Sequence, residues 1–106
     1  MIAQVFQEVF DTSYDITFRD RLPRFSGCQI SGYLDPEHDR IIIRRGLGMH
    51  ERAVTLLHEL VHQCYPDWSE ADVEACAVYT YDRLSEEDRA IVTFLATDPA
   101  ETAVPA

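Results

Sequence analysis

The sequence predicts a small α+β domain, and three patterns lead there. Apolar residues recur at helical spacing in four stretches. Between the first and second of these lie an alternating stretch and a β-branched run, the signature of a hairpin. Glycine, proline and serine fall at the joints. The expected order is an N-terminal helix, a small antiparallel sheet or hairpin, a helix with a histidine motif, a helix with a candidate glutamate, and a C-terminal helix. A chain of 106 residues has room for one modest core. Residues 1–98 read as a single domain and 99–106 as a disordered tail.

Ile2, Val5, Phe6, Val9 and Phe10 follow i, i+3, i+4, i+7 spacing, which predicts an amphipathic first helix. Asp15 to Phe18 alternates polar and apolar and reads as a short strand. Arg19 to Gly27 holds Arg19, Arg21, Arg24 and Pro23 and reads as a solvated loop. Cys28 to Leu34 alternates again, with Cys28 expected to face inward. Asp35-Pro36-Glu37-His38-Asp39 has turn chemistry, and Arg40 to Arg45 encloses Ile41-Ile42-Ile43, a strand-forming run. Gly46 and Gly48 separate this hairpin from a helix beginning near Met49. Its apolar stripe is Ala53, Leu57, Leu60, Val61 and Cys64, with Glu51, Thr55, His58 and His62 on another side. Tyr65-Pro66 should stop it. Ser69 with Asp72 caps the next helix, which runs to about Leu84. Ser85-Glu86-Glu87-Asp88 opens the last, through Ile91, Phe94 and Leu95, and Asp98-Pro99 closes it.

Composition narrows the function classes. Net charge is −10, from 19 acidic residues against 9 basic ones, all arginine. Such a surface repels phosphate, which argues against nucleic acid or an anionic membrane as partner. No apolar run reaches membrane-spanning length, and Met1 to Val5 lacks a basic signal-peptide start. Three irregularly spaced cysteines do not suggest a disulfide framework. The expectation is a reduced, cytoplasmic protein.

His58-Glu59-Leu60-Val61-His62 carries the chemistry. Residues four apart on a helix share a face, so both imidazoles can aim at one zinc ion. Glu59, one step round, can take a proton from a water there. The alternative is a helix with two histidines on its wet side. A catalytic zinc site needs a third protein ligand. Glu74 shares a helix face with Ala71, Ala77, Val78 and Tyr81, where a carboxylate would need a metal to offset its burial. Asp72 and Cys76 should face elsewhere, Glu70 remains a rival, and Cys64 reads as packing.

The motif and the later Glu74-Ala75 resemble a gluzincin metallopeptidase, most nearly the ImmA/IrrE-type and minimal single-domain enzymes, over Met49 to Asp82. The resemblance implies a zincin-like half-domain with one Zn2+ per chain, held by His58, His62 and Glu74, and Glu59 as general base. It departs in a spacing of eleven residues between His62 and Glu74, and in Val78 where thermolysin-like enzymes have an acid. The expected activity is peptide-bond hydrolysis in short or unfolded peptides lying along the hairpin edge. Tyr81 is the candidate oxyanion donor, and His50 lies two turns before His58. Two other classes remain open: a zinc-bound but inert module that binds a protein through its acidic surface, and a metal-free helical domain.

Overall fold

A computed structural model describes residues 15–22, 24–25 and 28–98. The expected N-terminal helix and C-terminal tail, Pro23 and Gly27, and the side chain of Cys28 lie outside the described residues. The elements are β1 (Asp15–Arg19), β2 (Arg24–Phe25), β3 (Cys28–Gln29), β4 (Gly32–Asp35), β5 (Arg40–Arg44), α1 (Met49–Cys64), α2 (Glu70–Arg83) and α3 (Glu86–Leu95). The fold is α+β, as the alternating and helical patterns require.

The sheet is organised on β5. Its isoleucines are fully buried, as a β-branched run in a central strand should be. β4 pairs with it antiparallel, Leu34 opposite Ile41 and Gly32 opposite Ile43. Between them Pro36–His38 forms a single 3-10 turn, and Asp39 takes a left-handed φ of 51°. The expected hairpin is therefore present, but the sheet is not purely antiparallel. β1 adds to the other side of β5 in parallel register, Thr17 opposite Ile42. A parallel partner needs a long crossover, and residues 20–39 supply it. Part of that crossover is the expected loop, Arg19 to Gly27, whose β2 pairs with β3. The expected strand from Cys28 to Leu34 is thus divided, β3 joining β2 with Arg24 opposite Gln29 and β4 joining β5.

Ile41 and Ile43 share one core with Leu57, Leu60 and Val61 of α1 and Val73, Cys76 and Ala77 of α2. Successive strand residues point to opposite faces, so Ile42 lies away from that core, between Thr17 and Tyr33. Every residue of the expected α1 stripe is buried except Cys64, which packs partly buried against the core. Leu57→Ala should lower unfolding free energy by about 2–5 kcal/mol, the usual cost of a leucine-sized core cavity. Urea titration monitored by circular dichroism measures it, and a loss below about 1 kcal/mol would contradict this packing.

Local chemistry sets the helix ends. Ser69 Oγ accepts from Asp72 N–H at 3.2 Å, and Ser85 Oγ from Asp88 N–H at 3.1 Å. Both are N-caps that satisfy a donor the helix leaves free. Arg89 of α3 donates from Nε to the Tyr81 carbonyl at 3.0 Å and from Nη2 to the Asp82 carbonyl at 2.8 Å. It thereby ties α3 to the carbonyl end of α2. Arg45 Nε donates to Asp98 at 2.7 Å, joining the end of β5 to the end of α3. No helix among the described residues is long and apolar enough to cross a membrane.

One close approach sets the geometry of the site. A Cβ on Gly32 would lie 2.7 Å from the Ile42 carbonyl oxygen and 2.7 Å from Thr55 Cγ2. Glycine in a strand often marks such an approach, and here it lets β4 run hard against α1.

Candidate metal centre and cleft

β4, α1 and α2 enclose a cavity of about 980 Å3. One wall is Ile30 to Leu34; another is the α1 face bearing Glu51, His58 and His62; Glu70 and Glu74 of α2 close it. Among the described residues β4 is an edge strand of the sheet, hydrogen-bonded to β5, and it lies beside the histidine motif.

His58 and His62 stand one helical turn apart, ring centroids 4.8 Å apart at 67°. With Glu59 they bring three ligand-type atoms within 4.8 Å of one another. The turn after α1, where Trp68 N–H donates to the Tyr65 carbonyl at 3.2 Å, leads into α2, whose first acids reach the imidazoles. Glu70 Oε2 lies 3.1 Å from His58 Nε2 and its Oε1 lies 2.7 Å from His62 Nε2. Glu74 Oε2 is 2.6 Å from His58 Nδ1. Both rivals for the third ligand therefore reach the histidine pair. The premise that singled out Glu74 needs correcting, since its side chain is 54% exposed. The buried face of α2 is Val73, Cys76, Ala77 and Thr80, and Ala71 and Val78 are exposed. Glu74 flanks that face, where reach towards His58 rather than burial is what it offers.

Asp72 is exposed and Cys76 is buried near Thr80, Sγ to Oγ1 3.9 Å. Neither lines the cavity. Tyr81 does not line it either. Its ring instead meets His50 edge-on, centroids 4.8 Å apart at 88°, with the Arg89 guanidinium 5.1 Å from the ring centroid. His50 is on the cavity wall. The β4 wall carries no motif, because the approach of strand to helix is long-range; Gly32 inside an alternating stretch is the one local signal of it.

Glu59 differs from the exposed acids around it. It is 5% exposed, and burial pushes its carboxyl up to about 7. Nearby His58 pulls the other way, and Glu70 and Glu74 push it further up. In the unfolded chain the same group titrates near 4.5. As pH rises between these values the unfolded chain gives up its proton while the folded one keeps it. Metal-free protein therefore loses stability across that window, full below 4.5 and spent above 7. A difference of about 2.5 from about 7 − 4.5 corresponds to at most roughly 3 kcal/mol. Glu59→Gln should remove this slope, so chemical denaturation of both metal-free proteins at pH 5 and pH 8 should show the variant gaining at pH 8. Parallel pH profiles for the two would show that Glu59 is not desolvated.

Two imidazoles and a carboxylate on an adjoining helix form a donor set that zinc accepts, so the residues fit such an ion. Comparison with protein-family models, with curated proteins and with solved structures finds no match to this chain.

Proposed function

We propose that this chain is a zinc-dependent metallopeptidase that hydrolyses peptide bonds in short or unfolded peptides, with a zincin-like arrangement of sheet and helices. The observation that supports this most is the meeting of His58, Glu59 and His62 within 4.8 Å on the wall of a cavity that β4 also lines. His58, His62 and Glu74 would hold the ion. When bound, zinc would lower the pKa of its water to roughly 7 and polarise a carbonyl oxygen. Glu59 accepts the proton of the attacking water and hands it to the leaving amine. Without the ion, burial holds the Glu59 carboxyl up to about 7; a bound cation would pull it down and favour the base form. The substrate backbone lies extended beside β4, its peptide groups bonding to the strand edge.

A second reading has a specific observation behind it. Tyr81, the expected oxyanion donor, lies off the cavity wall, and among the described residues the wall offers no arginine in its place. A zinc-bound but slow or inert module accommodates that. The test is incubation of zinc-loaded protein with unfolded-protein and peptide libraries, read by mass spectrometry. Chelator-sensitive internal cleavage is the expected result, and intact libraries would hand the site to the inert module.

A further inference from the structure

We infer that the cleft selects cationic peptides, with a lysine or arginine beside the scissile bond and a second about three residues from it. This rests on the peptidase reading for the position of the bond, and on the cleft itself for the charge preference. Glu51, Glu59, Glu70 and Glu74 line the cavity, and its other titratable groups are Tyr33, His50, His58 and His62. No arginine lines it among the described residues, and the chain has no lysine. A divalent ion offsets only part of that charge, because Glu51, Glu70 and Glu74 alone exceed it. Glu59, 5% exposed, also lies on this wall, a polar side chain facing the space that the peptide enters. A cavity of about 980 Å3 also holds several residues of extended chain.

Spacing turns the charge into a register. Glu70 touches both motif histidines, at 3.1 and 2.7 Å, so it stands at the reacting centre, and its exposure leaves it free to turn towards a substrate cation. Glu51 precedes His58 by two turns on the same face of α1, about 10 Å along the helix. An extended peptide advances about 3.3 Å per residue, which places Glu51 about three residues from the bond on one side. Val54, Val78 and Leu34 line the cavity as well, so an apolar side chain suits the positions between. Apart from the metal, a free C-terminal carboxylate would find no arginine or lysine on this wall among the described residues, which favours internal bonds over chain ends.

Binding separates this inference from the activity. Zinc-loaded Glu59→Gln protein is titrated with fluorescent peptides of equal length bearing lysine, serine or glutamate at the two positions. At low salt the lysine peptide should bind about tenfold more tightly than the glutamate peptide, with serine between, since each exposed pair contributes a few-fold. The ratio should shrink to about threefold in Glu51→Gln, whose fold is checked by circular dichroism, and should fall again at high salt. Equal affinities, the reverse order, or no binding of any peptide would overturn the inference. Cleavage by wild type is then scored on the same three peptides. Charge-ordered binding without cleavage would remove the peptidase reading and leave the inference standing; cleavage of all three at equal rates would do the opposite.

Discussion

Glu59→Gln should lower peptide cleavage about 10²–10⁴-fold while zinc content and fold are kept. General-base catalysis typically contributes that much. Glu59 lies one residue after His58, so it sits beside the point on which the two imidazoles converge and is expendable as a ligand. Its substitute is nearly isosteric and carries no charge, so the buried position at 5% exposure accepts it without a cavity or an unpaired ion. The comparison requires zinc stoichiometry by elemental analysis, a melting curve, and kcat/KM on one peptide for both proteins. Undiminished cleavage would mean a contaminant or another base, with His50 on the same wall the next residue to replace. Loss of zinc alongside activity would instead make Glu59 a ligand, and the motif would need a different assignment.

The parts of the fold that local chemistry decides are legible in the sequence. The α1 stripe of Ala53, Leu57, Leu60 and Val61 repeats at helical spacing, and each of these residues is buried. Ser69 and Ser85 announce caps that the backbone then uses. What is not legible depends on partners distant in the chain. β1 reads as a strand, yet nothing local tells it to pair in parallel with β5 rather than in a meander. The α2 face is misjudged for a related reason. Ala71, Ala77, Val78 and Tyr81 read as a stripe with Glu74, and of these Ala77 is buried and Tyr81 partly so. Burial, however, follows where α1 lies, and α2 presents Val73, Cys76, Ala77 and Thr80 to it. Thr80 hides this phase, because a threonine reads as polar although it is fully buried beside Cys76. The cleft is half legible: α1 displays its own wall, Glu51 through His62, whereas Ile30 to Leu34 join it only once the sheet has formed.

Among single substitutions, His58→Ala should cost the most, with metal and activity lost together, and the acid substitutions should rank behind it in a definite order. Glu74→Gln should weaken zinc by more than about 100-fold, above the 10–100-fold usual for residues that only orient a ligand, and Glu70→Gln by less than about tenfold. The contacts alone do not decide this order, since Glu70 spans both Nε2 atoms and Glu74 meets Nδ1. Mobility does. Glu70 is the first residue of α2 and 76% exposed; a carboxylate so placed swings to any nearby imidazole, and holding it on a metal loses side-chain entropy. Glu74 stands in the second turn, at 54% exposure, on backbone already ordered by the Ser69 cap, which makes it the more rigid donor. Competition titration against a chromogenic chelator gives the three affinities. The reverse order would make Glu70 the ligand across the two Nε2 atoms and Glu74 the acceptor that orients His58 through Nδ1. Equal affinities for all three variants and wild type would mean that the histidine pair holds no zinc.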